Sequence, residues 1–299
     1  MNFLGIDIGG TFIKYGLVSE DLKIVYLNKS NTASSLNKLI DQTSKIIIEM
    51  KRTYSIKATG IGIPGFISKK DKIIKKSPNI QFLNGINFEN EIRKNIDFPV
   101  FVENDANLSA FGEFLMHDDP KPQCFIHITI GTGIGSGIIL NNEIWKGECG
   151  FAGELGHVIV NPEGRKCGCG GFGCIETEAS ETGIVNTYNE LTGRKNISSL
   201  EIFELYKLND EFAIKAFKRA GYFLGIFLCS IINFLNPSII SIGGGVAKAG
   251  DALMKPAFEE LKSRTNKFIL NCTEISLSAK KRSEAGILGA AYFAARSMR

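Results

Sequence analysis

Phe3-Leu4-Gly5-Ile6-Asp7-Ile8-Gly9-Gly10-Thr11-Phe12-Ile13-Lys14-Tyr15-Gly16-Leu17 reads as an apolar strand, a glycine turn and a second strand, with Asp7 just before the turn. Glycine at such a turn lets an anion approach the backbone, where exposed N–H groups cradle its oxygens. The same pattern returns, without gaps, in Phe125-Ile-His-Ile-Thr-Ile130-Gly131-Thr132-Gly133-Ile134-Gly-Ser-Gly-Ile-Ile139. Such self-similarity points to a duplicated unit, one copy in each half of the chain, each a mixed sheet flanked by helices with a cleft between the copies. A third glycine turn, Gly243-Gly244-Gly245, follows the strand at 239–242. The chain has no Gly-x4-Gly-Lys-Ser/Thr motif, which excludes the common P-loop. Gly9-Gly10 leads into a strand rather than a helix, which disfavours a dinucleotide fold.

Outward from these turns, apolar spacing predicts a helix over about 36–51 and a strand at 61–64. Another strand at 100–102 ends in Glu103-Asn104-Asp105 and gives way to a helix over 106–116. Asp118-Asp119-Pro120-Lys121-Pro122 is polar and proline-punctuated, a natural domain boundary. The expected division is a small N-terminal domain, 1–118, completed by the final helix within 284–299, and a larger domain, 119–283. The larger domain contains an apolar helix from about Ala220 to Leu235.

Several groups have the composition of a site. His157, Cys167, Cys169 and Cys174 sit among glycines, and one imidazole with three thiolates suits a closed, tetrahedral structural Zn²⁺. Buried cysteines beside a hydrogen-bonded histidine are the plainer alternative. Glu154 and Glu176 bracket the cluster and are not needed as ligands, so they are free to meet a polar substrate. Asp7 is placed to hold a hydrated Mg²⁺ near phosphates, or simply to cap its turn. Thr11 and Thr132 could donate to phosphate oxygens, and Lys14 could approach from the second strand. Asn104 and Asp105 stand at a strand-to-helix transition, where an N-cap is the ordinary reading. An amide beside a carboxylate also suits a sugar diol, and an ionised Asp105 could accept the proton of an attacking hydroxyl. The lysine-rich run 68–76 reads as a solvated hairpin tip, with steering of anions as the weaker alternative.

The totals narrow the class. A chain of 299 residues, 44% hydrophobic and 22% charged, describes a soluble globule with two domains. A net charge of +4 is too small to argue for nucleic acid. No signal peptide is expected before the first strand, and the apolar run 222–235 is too short to span a bilayer. Seven cysteines, three of them in metal-like spacing, fit a reducing, cytoplasmic setting.

Taken together, these residues resemble the ROK family of sugar kinases, within the actin and hexokinase superfamily. Asp7-Ile-Gly-Gly-Thr11 resembles that family's first phosphate motif, with Gly9 and Gly10. The segment 130–135, with Gly131, Thr132 and Gly133, resembles the second. Ile242-Gly243-Gly244-Gly245 resembles the adenosine motif, and Glu103-Asn104-Asp105 the catalytic segment in which the aspartate is the base. The resemblance implies an α/β, actin-like ATPase (ribonuclease H-like) fold of two duplicated domains around a central cleft. It implies Zn²⁺ on His157, Cys167, Cys169 and Cys174, and sugar contacts from Asn104, Asp105, Glu154, His157 and Glu176. Asn79, within Ser77-Pro78-Asn79-Ile80, resembles a further pocket residue. The implied reaction is Mg²⁺-assisted transfer of the ATP γ-phosphoryl group to a hexose 6-hydroxyl, with closure over the sugar excluding water. Glucokinase-like members often carry a Trp shortly after that Pro-Asn, where this chain has Phe82-Leu83. Glucose and N-acetylmannosamine both remain open. The family further implies a homodimer. A ROK-type repressor would need a DNA-binding domain ahead of Asp7, a sensor without catalysis would be expected to lack Asp105, and a polyphosphate-dependent kinase shares most of these motifs.

Overall fold

The computed structural model describes residues 2–117, 120–278 and 282–298, so the boundary expected at Asp118-Asp119 lies outside the described residues. Strands β1 (Asn2–Ile8) and β2 (Phe12–Ser19) form the first hairpin, and β3 (Ile24–Asn31) and helix α1 (Leu36–Thr53) follow. Then come β4 (Ile56–Ile63), a small hairpin of β5 (Phe66–Ile67) and β6 (Ile74–Lys76), α2 (Phe88–Asn95), β7 (Val100–Asn104) and α3 (Asp105–Leu115). The first sheet has the order β3-β2-β1-β4-β7, antiparallel on the β3 side and parallel from β1 to β7. Strand β4 starts at Ile56, five residues ahead of the predicted strand at 61, because its N-terminal half pairs with β1 while alternation is broken by Thr59-Gly60.

Chain Pro122–Ser136 and Glu154–Ala279 forms a second compact unit; Met1–Lys121, Gly137–Gly153 and Lys280–Arg299 form the first. The second sheet runs β10-β9-β8-β11-β12, with β8 (Cys124–Ile130), β9 (Ile134–Leu140), β10 (Glu143–Ile144), β11 (Ile239–Gly243) and β12 (Glu274–Leu277). Its helices are α4 (Ile175–Ala179), α5 (Glu181–Thr192), α6 (Ser199–Lys207), α7 (Glu211–Leu235), α8 (Asp251–Arg264) and α9 (Lys267–Leu270). The last helix, α10 (Arg282–Ser297), lies against β1, β4 and α3 of the first unit. Contact there is backbone to backbone: a Cβ on Gly5 would stand 2.1 Å from the Ile287 carbonyl oxygen, and one on Gly60 1.8 Å from that of Ala290.

Packing follows from the strand patterns. Leu4, Ile6, Ile8, Ile13, Leu17, Ile61, Ile63 and Val100 are fully buried in the first unit. Each contributes about 1.5–3 kcal/mol relative to exposure. Helix α7 begins at Glu211, behind an Asp210 N-cap, rather than near Ala220. Glu211, Lys215 and Lys218 lie exposed there while Ala213, Ala216, Phe217 and Ala220 bury at helical spacing, so polar residues hid a period that continued. At 25 residues it is the one helix among the described residues long and apolar enough to cross a membrane. Half of its apolar window is buried in the protein.

Candidate active site

Parallel strands deliver their C-terminal ends to one edge of a sheet, where α/β proteins bind ligands. In the first unit that edge carries three motifs: Gly9-Gly10 after β1, Pro64-Gly65 after β4 and Asn104-Asp105 where β7 becomes α3. In the second unit the parallel neighbours β8 and β11 end at Gly131-Thr132-Gly133 and at Gly243-Gly244-Gly245.

Register places Lys14, Asp7, Gly62 and Glu103 in one row across β2, β1, β4 and β7. Thr32 secures the first turn, its hydroxyl donating to the Gly9 carbonyl (2.6 Å) and its N–H to that of Thr11 (2.9 Å). Gly10 lies against Asn79, whose carbonyl oxygen would be 3.5 Å from a Cβ there. Asn104 caps α3, accepting the Asn107 N–H (3.0 Å) and donating from its side-chain amide to the Gly65 carbonyl (3.1 Å). The cap is worth about 1 kcal/mol. Both amide functions are thereby fixed, and Asp105 follows as the first helical residue, one Oδ accepting the Ala106 N–H (2.9 Å).

In the second unit Glu176 opens α4 and reaches the second glycine turn. One carboxylate oxygen accepts the Ile134 N–H (2.9 Å), and the other lies 3.7 Å from Cys167 Sγ. Gly133 makes this possible, because a Cβ there would stand 2.3 Å from the Glu176 oxygen. The segment beginning at Glu154 is tied to β9 by the Leu155 N–H, which donates to Ser136 Oγ (3.1 Å). The first turn of α5 holds the same glycine turn. The Glu181 N–H donates to the Gly131 carbonyl (2.8 Å), and Thr132 Oγ1 and Ser199 Oγ donate to the Glu181 carboxylate (3.2 and 2.7 Å). Glu181 and Ser199 also line a cavity of about 310 Å³ with Gly245, Val246, Phe203 and Phe217. Gly244 adopts φ +99° beside the Ile130 carbonyl, a close approach that only glycine makes without strain.

The donor atoms of His157, Cys167, Cys169 and Cys174 all lie within 4.8 Å of one another. Cys169 and Cys174 sulfurs are 3.7 Å apart, and His157 Nδ1 is 3.6 Å from Cys167 Sγ. A tetrahedron with Zn–S near 2.3 Å and Zn–N near 2.0 Å has edges of about 3.5–3.8 Å. The cluster therefore fits a zinc ion, with Nδ1 facing the thiols and Nε2 left for another partner. Between residues 160 and 174 the buried side chains are confined to Cys167 and Cys174, with Ile159 and Phe172 exposed. Apart from the cluster, the loop is held by backbone bonds such as those from the Val160 and Asn161 N–H to the Gly173 carbonyl (2.9 and 3.2 Å) and from the Gly173 N–H to the Arg165 carbonyl (2.9 Å).

Burial pushes the Cys174 thiol up to about 12 and Cys167 upward as well, whereas the Gly171 N–H holds Cys169 down. Thiols with raised values keep their protons at neutral pH, and a bound metal must displace them. Zinc affinity is therefore expected to rise between about pH 6 and 8, with protons released on binding. Titration calorimetry of metal-stripped protein in buffers of different ionisation enthalpy measures both; a pH-independent affinity would contradict the thiolate site.

Thr32, Ser136 and Glu181 carry no sequence signal of their own, because each meets its partner across more than a dozen intervening residues.

A duplicated strand–turn–strand fold with glycine turns at the C-terminal edges of both sheets defines an actin-like ATPase. The chain belongs to the ROK family, whose sequence model matches residues 3–297. It is 32% identical over 306 residues to a glucokinase of Thermotoga maritima, covering 97% of this chain and 96% of that one. It is also 32% identical over 278 residues to the xylose repressor of Bacillus subtilis, covering 91% of this chain and 71% of the repressor. The crystal structure of a ROK family glucokinase from Streptomyces griseus in complex with glucose and AMPPNP superposes with a TM-score of 0.80 at 28% identity, covering 99% and 100% of the two chains.

Proposed function

We propose that this protein is an ATP-dependent hexose kinase that phosphorylates the 6-hydroxyl of its sugar, with glucose the favoured acceptor and N-acetylmannosamine the second. One observation carries the reading. Asp105 stands at the C-terminal end of a parallel strand, on the edge that also bears Gly9-Gly10, with Asn104 locked beside it by two hydrogen bonds.

In this mechanism Asn79, Asn104, Glu154, His157 and Glu176 hold the sugar hydroxyls, and Asp105 accepts the 6-hydroxyl proton as attack begins. Because the transferred phosphoryl group needs little covalent help, most of the rate comes from holding that hydroxyl in line. Gly9, Gly10 and Thr11, with Lys14 opposite Asp7, and Gly131, Thr132 and Gly133 offer backbone and side-chain donors to the phosphates. Asp7 supplies a hard oxygen donor for Mg²⁺, which when bound neutralises phosphoryl charge. His157, Cys167, Cys169 and Cys174 hold a structural Zn²⁺ that orders the loop between the two sugar glutamates. The cavity beside Gly243, Gly244 and Gly245 has apolar walls and a carboxylate at its edge, which suits a nucleoside. That favours ATP over polyphosphate as donor. Similarity to a xylose repressor supports a second reading, a binding protein without turnover; the retained Asp105 argues against it.

An ADP-release assay with ATP and Mg²⁺ across glucose, N-acetylmannosamine, N-acetylglucosamine, fructose, mannose and allose tests the proposal. A clear winner by kcat/KM names the acceptor. Turnover with polyphosphate but not ATP would overturn the donor assignment, and binding without turnover would favour the sensor.

A further inference from the structure

Glu103 is a buried carboxylate of the first unit that the kinase reading leaves without a task. It is 4% exposed, on β7, in the same row of the sheet as Asp7 and separated from it by Gly62 alone. Burying a carboxylate is costly unless its oxygens are fully engaged, and a buried ion pair seldom stabilises a fold better than apolar side chains would. Such a group calls for an explanation other than packing.

Its partners supply one. One oxygen accepts the main-chain N–H of Asn104 (2.9 Å) and the side-chain amide of Asn107 (3.1 Å), gripping the turn from β7 into α3 on both sides of Asp105. The other oxygen takes the ammonium of Lys146 at 2.9 Å, and the Lys146 side chain is itself only 23% exposed. Lys146 lies at the foot of a short loop. Its carbonyl accepts the Ala152 N–H (3.1 Å), which closes residues 146–152 on themselves, and the Cys149 carbonyl accepts the Lys69 N–H (2.9 Å) from beyond β5. The chain leaves this loop through Gly153 directly into Glu154. Glu103 thus joins the segment bearing Asn104 and Asp105 to the segment that feeds Glu154.

We propose that Glu103 is a positioning residue. Held by Lys146, its carboxylate sets the angle at which Asn104 and Asp105 leave β7, and it couples the 146–152 loop to that corner. This rests on the kinase reading above. Neither Glu103 nor Lys146 touches substrate; both act through Asn104, Asp105 and the loop. A shift of about 1 Å in a catalytic group costs on the order of 10²-fold in rate, so a latch that adds little stability still matters for turnover.

The test compares Glu103→Gln, Lys146→Met, the double variant and Lys146→Arg by steady-state kinetics with ATP and the best acceptor. The two single variants are expected to lower kcat/KM for the sugar about 10- to 100-fold while KM for ATP changes less than about threefold. The double variant leaves no unpaired charge and is expected to be no worse than either single one, because both remove the same latch. Lys146→Arg keeps a cation against Glu103 and is expected to retain most of the activity. If the pair is purely structural, the single variants will instead lower thermal stability and leave the kinetics of the folded fraction unchanged, which overturns the inference. Multiplying losses in the double variant would overturn it too. If the unaltered protein turns over no sugar, the kinase reading has failed; if it does and these variants match it, only this inference has.

Discussion

Asp105→Asn is expected to lower kcat by about 10²-fold or more while leaving the fold intact. The fold survives because asparagine keeps an oxygen to accept the Ala106 N–H, and the cap of α3 belongs to Asn104. What is lost is the negative charge in the first turn of α3, worth about 0.3–1 kcal/mol of helix stability. Asparagine still hydrogen-bonds to a sugar hydroxyl but takes no proton from it, so the sugar KM should move far less than kcat. Near-normal turnover would remove Asp105 as the base and leave it as a positioning group.

The second large effect concerns the metal loop. Cys169→Ser is expected to abolish tight zinc binding and to raise the sugar KM by at least about tenfold. The two losses should come together because the cluster supplies the only buried side chains between residues 160 and 174, the loop's other supports being backbone bonds and polar contacts at its ends. One is a polar hub around Glu178, a fully buried carboxylate that accepts from Asn161 (2.8 Å) and from Arg219 (2.8 and 3.0 Å), with Arg165 alongside at 3.4 Å. That hub anchors residues 161–165 to α4 and α7, whereas 166–174 have only short-range backbone bonds, among them Cys167 N–H to Gly171 and Gly173 N–H to Arg165, beside the cluster. His157 is close to Cys167, and Glu176 follows Cys174 by two residues, so disorder there reaches both proposed sugar contacts. Metal analysis that finds no zinc in protein purified without chelator would dismiss the clip. Normal sugar affinity in a zinc-free variant would separate the loop from the sugar.

Much of this site could be seen in the sequence because its groups come in compact runs. Gly9-Gly10-Thr11 and Gly131-Thr132-Gly133 announce themselves by following apolar strands, and the structure puts each at a strand end. The spacing of Cys167, Cys169 and Cys174 forecast convergence that the structure shows in the 4.8 Å cluster. What could not be read is the wiring between distant segments. Glu103 opens the segment that resembles the catalytic motif but has no role of its own in the sequence, and only the fold brings Lys146 onto it. Glu181 belongs to no motif in the sequence, yet it ties the second glycine turn to the cavity beside the third. The start of α7 was missed for a local reason: its exposed lysines broke up an apolar run whose period nevertheless continued through Ala213 and Phe217.

The most direct measurement is product analysis on the unaltered protein with ATP, Mg²⁺ and its best hexose, following phosphorus by NMR and nucleotide by chromatography. The account predicts one ADP for each sugar phosphate, with phosphorus coupled to the protons on carbon 6 and no comparable ADP formation when the hexose is left out. Equal ADP formation with and without sugar, or a phosphate on the anomeric oxygen, would contradict it.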